Sequence, residues 1–375
     1  MGTRGRGALV GLVLAGALSL GGCFLFPNEL PTAVFTATPT EGGTPLYVAF
    51  DATGSYDPDG YVSSYLWSFG DGTSTSGATP VHAYAAAGTY PVTLTVMDSN
   101  GERDTASGQI VVHSGTAYAI LVGIAKYTEL PELQFTDDDA QSVWRWLRDV
   151  AGWSPANMTL LLNEQATVGN FMAALNALDD AHPYDTLLFF FSGHGVKALD
   201  DDLFEEGDGQ DECLCFYDQT YFRDDTLQAF LAQVPMRRIA VMIDACYSGG
   251  QLHSLSADGG AAPDDFLDDL VRLAEPGTRD LDQLVKSVAA ITACRHDEYS
   301  WELKDLEHGA FTYALLEALD GLADQQGNKD GITSVEECYV YVAPRVHDLV
   351  WAYWETQSPQ LLDLCPGELG FAAVP

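Results

Sequence analysis

Basic residues are scarce in this chain: 17 Lys and Arg stand against 54 Asp and Glu, for a formal net charge of −37. A surface of that sign repels phosphate backbones and anionic membranes, so nucleic acid is excluded as an expected partner. It would attract basic protein segments, but charge alone names no substrate, and acidic surfaces also serve solubility. Zinc-type patterns are missing too, since no CxxC pair and no histidine cluster occurs. The apolar stretch Ala8 to Leu20 is too short to span a bilayer permanently. What the chain does have is a hydrophobic content of 47% over 375 residues, enough for two ordinary domains with buried cores.

Residues 1–22 read as an export signal, with Arg4 and Arg6 at its start, the apolar stretch behind them, and Gly21 and Gly22 as a small-residue exit. Leu20-Gly21-Gly22-Cys23 resembles the lipobox of bacterial lipoproteins. The resemblance implies lipidation of Cys23 and anchoring of the exported protein to a membrane, on its periplasmic or cell-surface face. Residues 23–31 carry two prolines and little periodicity, the character of a tether.

From Ala33 to Val112 short alternating runs such as Tyr90-Pro91-Val92-Thr93-Leu94-Thr95-Val96 are punctuated by turn residues, and no helix-length apolar period occurs. This pattern predicts an all-β sandwich of immunoglobulin size over residues 32–113. Its sequence FDATGSYDPDGYVSSYLWSFGDG, followed by HAYAAAGTYPVTLTVMD, resembles a polycystic kidney disease (PKD) domain. Trp67 and Phe69 are expected to anchor the core, with Gly70-Asp71-Gly72 as the tight turn after that strand. Such domains act as spacers or binding modules.

Beyond a short joint, residues 116–375 alternate strands with amphipathic helices. Tyr118 to Gly123, Met158 to Leu162, Thr186 to Phe191, Ile239 to Ile243 and Val288 to Thr292 are nearly continuous apolar runs, as strands covered on both faces require. Helical segments over Asp138 to Val150 and Val168 to Ala181 lie between them. The expected fold is α/β, a mostly parallel sheet with helices on both faces.

Reactive groups in such sheets gather at the carboxyl ends of the strands. One predicted strand ends in Ser192-Gly193-His194-Gly195, another in Asp244-Ala245-Cys246-Tyr247-Ser248-Gly249-Gly250. If the two strands are neighbours, at a spacing of about 4.8 Å, imidazole and thiol share one edge within reach of each other. A cysteine nucleophile needs such an imidazole, and a partly exposed polar setting would lower the thiol's pKa. The amides of Gly193 and Cys246 are candidate oxyanion donors. With Cys23 lipidated and Cys246 reduced, five of the seven cysteines remain, so no full disulfide framework is implied. Cys213 and Cys215, one residue apart, are poorly placed to pair with each other.

FFFSGHG, DGQDECLCFYD, RDDTLQAFL, IDACYSGG and TACRHDE, in this order and with YAILVGIAKY before them, resemble the caspase-like cysteine peptidases and especially their metacaspase branch. The resemblance covers about residues 117 to 320. It implies a caspase-like fold, His194 as general base or orienting imidazole, and Cys246 as the nucleophile of an acyl-enzyme. It also implies cleavage of protein or peptide substrates after Arg or Lys, through an S1 pocket built from Asp139, Ser192 and Asp244. One or two carboxylates in a narrow pocket favour a cation and penalise an acidic side chain.

No organic cofactor is implied. Calcium is, through positions Asp208, Asp211, Asp224 and Asp225, although His253 stands where some relatives supply a further aspartate. Asn328-Lys329-Asp330-Gly331, with Glu336 and Glu337, also resembles an EF-hand loop whose first position would be Gln326. Tyr247 replaces the histidine commoner in the family. Metacaspases are generally monomeric, and a monomer is expected. The competing readings are an arginine-specific peptidase of the clostripain-like group and a catalytically silent adhesion or scaffold lipoprotein. Arg272 and Arg279 fall in the Asp- and Gly-rich segment Gln251 to Asp282, where caspase-like enzymes are often cut. Self-cleavage after one of them is one reading and an uncleaved surface loop the other, and an active sample running as one unbroken band on a denaturing gel would refute the first.

Overall fold

The computed structural model describes residues 28–199, 210–246, 286–295, 298–365 and 368–373. Alternation of apolar and polar residues sets up the first domain. In β7 (Gly88–Asp98), Val92, Leu94 and Val96 are fully buried while the residues between them are not, the two-residue period of a half-buried strand. One sheet has the order β1 (Thr36–Thr38), β3 (Leu46–Asp51), β6 (Val81–Tyr84). The other runs β2 (Glu41–Gly43), β8 (Arg103–His113), β7, β4 (Val62–Ser68), β5 (Ser74–Ser76).

Between the two sheets, Trp67 and Phe69 meet Phe50 and Tyr84, and the Trp67 Nε1–H donates to the Gly77 carbonyl at 2.9 Å. Gly70 and Gly72 adopt φ of +85° and +98°, conformations that a side chain resists. The expected sandwich core and tight turn are therefore present.

Apolar runs do the same for the second domain. Its main sheet has the order β10 (Met158–Leu162), β9 (Ala117–Gly123), β11 (Thr186–Ser192), β15 (Arg238–Asp244), β16 (Ser287–Thr292), β20 (Gln360–Asp363). All neighbours pair in parallel except β20, which is antiparallel at the edge. Every residue of β11 and β15 is buried, because helices cover both faces. Helices α1 (Thr136–Asp149), α4 (Ala310–Glu317) and α5 (Val335–Trp351) contribute to one core. Helices α2 (Val168–Asn176) and α3 (Asp224–Gln233) contribute to the other.

A smaller antiparallel sheet joins β12 (Gly195–Leu199), β13 (Gln210–Cys215) and β14 (Tyr221–Arg223), and β17 (Glu302–Leu303) pairs with β18 (His308–Gly309). Helix α2 stops short of the expected Ala181. Residues 177–180 form turns, and Asp179 and Asp180 would place negative charge at the negative end of the helix dipole.

The chain leaves β9 for β10 on one side and then crosses to β11 on the other, so a topological switch point lies between β9 and β11. Crevices open at such points. The two domains touch through Arg238, whose buried guanidinium donates to the carbonyls of Gly43 (2.8 Å) and Gly370. His113 stacks on Tyr184 beside this contact.

Because Trp67 is wholly buried among aromatic rings, Trp67→Ala is expected to destabilise the sandwich by about 3–5 kcal/mol. Denaturant unfolding of the full chain should then show an earlier transition for the first domain, and an unchanged unfolding curve would contradict the packing described.

Candidate active site

The ladder between β11 and β15 runs in register from Thr186↔Arg238 to Ser192↔Asp244. His194 and Cys246 each stand two residues beyond that last rung. The two strands are thus the neighbours that the sequence reading required. Past the rung, the Gly193 amide donates to the Asp244 carbonyl at 3.2 Å. Gly195 packs so closely that a Cβ on it would collide with the Cys246 carbonyl oxygen.

His194 is held on several sides. Its backbone amide donates to the Tyr127 hydroxyl at 2.9 Å, and that hydroxyl donates to the Cys215 carbonyl at 3.0 Å. Its ring Nε2 lies 2.8 Å from the Pro131 carbonyl oxygen. A carbonyl can only accept, so Nε2 carries the proton and Nδ1 is left with a lone pair. Burial keeps the Tyr127 phenol protonated by raising its pKa, as the bond to the Cys215 carbonyl requires.

Cys246 is partly buried, and its sulfur lies 4.0 Å from the Ser300 carbonyl. Burial pushes its thiol pKa up, and the nearby carboxylates of Asp244 and Glu302 add to this. The expected lowering of the thiol pKa is therefore corrected: the resting group is a thiol whose proton must be taken by a base.

The expected pocket residues are brought together behind this edge. Ser192 is wholly buried and its Oγ–H donates to Asp139 Oδ2 at 3.0 Å. The other oxygen of Asp139 meets His308 Nδ1 at 2.7 Å, and the Gly309 amide lies 3.3 Å from both oxygens. Asp244 accepts from Ser300 Oγ (2.5 Å), Thr312 Oγ1 (2.7 Å) and the Thr312 amide (3.1 Å). Burial, opposed by the His308 contact, pushes the Asp139 carboxyl up to about 7. Burial likewise raises Asp244, against its hydroxyl donors. Glu302 accepts from the amides of Gln134 and Phe135 (2.6 to 3.0 Å), which fixes the entry to α1 beside the site.

One further expectation is corrected. Gly193 does not offer an oxyanion donor in this arrangement, because its amide hydrogen is given to the Asp244 carbonyl. At the EF-hand-like loop, Asp324 accepts from Gly331, and Glu337 accepts from Asn328 and closes a capping box with Ser334. Of the calcium positions, Asp224 is a buried residue opening α3. Asp208, with the side chains of Asp211 and Asp225, lies outside the described residues. Cys23, Tyr247, His253, Arg272 and Arg279 lie outside them as well. Among the described cysteines, Cys215, Cys246, Cys338 and Cys365 are free thiols.

A caspase domain matches residues 116–363, about two thirds of the chain, and a PKD domain matches residues 28–112. The chain belongs to the caspase-domain family. Among its relatives, metacaspase-1A of Aspergillus oryzae is 30% identical over 151 residues, covering 37% of this chain and 36% of that protein. Metacaspase III c of Phaeodactylum tricornutum is 32% identical over 161 residues, covering 39% of this chain and 48% of that one. The match thus spans no more than half the length of either metacaspase. The PKD part is 39% identical over 88 residues to a microbial collagenase of Vibrio alginolyticus, covering 24% of this chain and 11% of that enzyme. Among solved structures, caspase-1 from Spodoptera frugiperda overlays with a TM-score of 0.42 at 14% identity, covering 68% of this chain and 89% of that one. The second domain is thus a caspase-type domain, and the first a PKD domain.

Because the folded state raises the Asp139 pKa from its ordinary value to about 7, the protonated folded form is favoured. The stability so gained is complete below about pH 4 and is lost as the pH rises through 7. His308, raised by its bond to Asp139, acts in the same direction at higher pH. Unfolding free energy measured from pH 5 to 8 should fall more steeply in the parent than in Asp139→Asn; equal slopes would contradict the buried pair.

Proposed function

We propose that this protein is a cysteine endopeptidase that cleaves other proteins after Arg or Lys, with His194 as base and Cys246 as nucleophile. The observation that carries the reading is the Ser192↔Asp244 rung, which sets both residues two positions beyond one ladder pair at the carboxyl edge of the sheet. The Pro131 carbonyl holds the proton on Nε2, so Nδ1 is the nitrogen free to accept the thiol proton. The thiolate attacks the scissile carbonyl carbon. Nδ1–H then protonates the leaving amine, an acyl-enzyme remains, and water deprotonated by the same nitrogen releases the acid.

The amide of Cys246 is one donor to the developing oxyanion, and Gly195, packed against Cys246, is better placed than Gly193 for the other. Asp139 and Asp244 supply the negative charge that a basic side chain seeks, and a substrate aspartate would meet two carboxylates. No step is assigned to calcium, whose effect is a separate arm of the assay. The acidic balance of the chain suits encounter with basic protein segments.

Export and anchoring through Cys23 are part of the same proposal. No helix among the described residues is long and apolar enough to cross a membrane, and a lipid on Cys23 would anchor the protein without one. Incorporation of labelled palmitate that disappears in Cys23→Ser supports the anchor; retention of label in that variant refutes it.

Paired fluorogenic peptides ending in Arg and in Asp test the chemistry, with and without calcium and with Cys246→Ala as control. Cleavage of the Arg peptide by the parent alone is expected, with loss of at least about 10³-fold in the variant. Preference for Asp, or equal rates in both proteins, contradicts the reading. A silent scaffold would show no cleavage by a folded parent.

A further inference from the structure

Nothing in the reaction above uses His308, yet its side chain bonds directly to Asp139, one of the carboxylates of the proposed basic pocket. It stands on β18, immediately before α4, with its Nδ1 2.7 Å from Asp139 Oδ1. Asp139 has no solvent exposure, while the His308 side chain retains 19%. The imidazole is therefore the route by which the inner carboxylate meets the outside. Gly309, the next residue, separates the two carboxylates: a Cβ there would lie 2.5 Å from Asp244 Oδ2 and 3.1 Å from Asp139 Oδ2. The groups acting on the ring are Asp138 and Asp139 from α1 and Asp244 from the end of β15. From α4 the Tyr313 ring stands 6.5 Å away, itself overlain by Arg345 of α5. Three carboxylates thus act on one imidazole, and the one in contact with it, Asp139, is wholly buried.

Asp244 differs in kind. Its oxygens are bonded to neutral hydroxyls and an amide, so its charge is solvated by dipoles, and His308 acts on it through space. Asp139 is bonded to a group that becomes a cation on protonation. An ion pair with a buried carboxylate has to be broken before a second cation can take the same oxygen.

Resting on the basic-pocket reading above, we propose that His308 is a specificity-determining residue: it is the resident counter-ion of Asp139, which a substrate's Arg or Lys replaces. The exchange balances in charge and protons. The incoming side chain brings one positive charge, the single proton shared by His308 and Asp139 goes to solvent, and Asp139 is left ionised. While the pair holds that one proton, binding of a basic side chain therefore weakens by about tenfold per pH unit as the pH falls, whereas binding of a neutral isostere does not. Asp244 attracts the basic side chain at every pH at which it is ionised.

The test uses the full chain carrying Cys246→Ala, which prevents turnover, and a short peptide with a single arginine, compared with the same peptide carrying citrulline. His308 is followed by imidazole NMR, assigned by its loss in His308→Gln. Calorimetry in buffers of different ionisation enthalpy counts the protons released. At a pH where the free protein holds His308 protonated, the arginine peptide should convert it to the neutral form and release about one proton. The citrulline peptide should do neither, and in Asp139→Asn the release should vanish and the His308 titration should move down. If the arginine peptide binds selectively while His308 keeps its proton and none is released, the pocket reading stands and this inference is overturned. If the two peptides bind equally, or neither binds, the basic-pocket reading fails and takes this inference with it.

Discussion

Seven successive residue pairs between β11 and β15, all buried, fix where everything else in the site can be. Parallel strands exchange slanted, evenly spaced hydrogen bonds, and a slip of one residue would turn every side chain to the opposite face. Covered on both sides by helices, the ladder packs Phe189, Phe191, Val241 and Ile243 into one core and Phe190 and Met242 into the other, and a slipped register would misfit both. The last rung, Ser192↔Asp244, is then forced to present two polar residues to each other at the edge of an apolar sheet. Beyond it the chain turns outward with His194 on one strand and Cys246 on the other.

Polar groups placed at the end of such a core must be satisfied there, and the surrounding elements do this in two layers. In the outer layer, backbone carbonyls set the imidazole: Pro131 takes its Nε2 proton, and the Tyr127 hydroxyl bridges the His194 amide to Cys215. In the inner layer, Ser192, His308, Ser300 and Thr312 surround two buried carboxylates. Removing a partner from either carboxylate would leave a desolvated charge, which costs far more than the bond itself contributes. The same desolvation raises the thiol pKa of Cys246, so the base is needed at the moment of attack.

Much of this could be read from the chain. Apolar runs of strand length placed the parallel strands to within a residue or two, because a doubly covered strand has no room for polar residues. The alternation in Tyr90 to Val96 and the glycines of Gly70-Asp71-Gly72 gave the sandwich in the same way. His194 and Cys246 are legible as a pair because each follows the end of an apolar strand, His194 between two glycines and Cys246 three residues before a glycine pair.

The supporting groups were not legible, for two physical reasons. Pro131 and Cys215 act through backbone carbonyls that every residue possesses, and His308 meets Asp139 across 169 positions of sequence. The thiol's raised pKa depends on burial, which no local pattern states. Gly193 looked like an oxyanion donor because it precedes the histidine, but the ladder's extension past Ser192 takes its amide.

The central claim is that the strand register makes Cys246 a nucleophile served by His194 and approached from a basic-selective pocket. Covalent labelling by an arginine-bearing acyloxymethyl ketone, followed by peptide mass mapping, addresses all three parts in one sample. The account predicts one adduct, on Cys246, slowed strongly in His194→Ala and suppressed by excess arginine peptide while an aspartate-bearing probe leaves the protein unmodified. Adducts spread over Cys246 and Cys365 at similar rates, or labelling of Cys246 that is indifferent to His194, would contradict it.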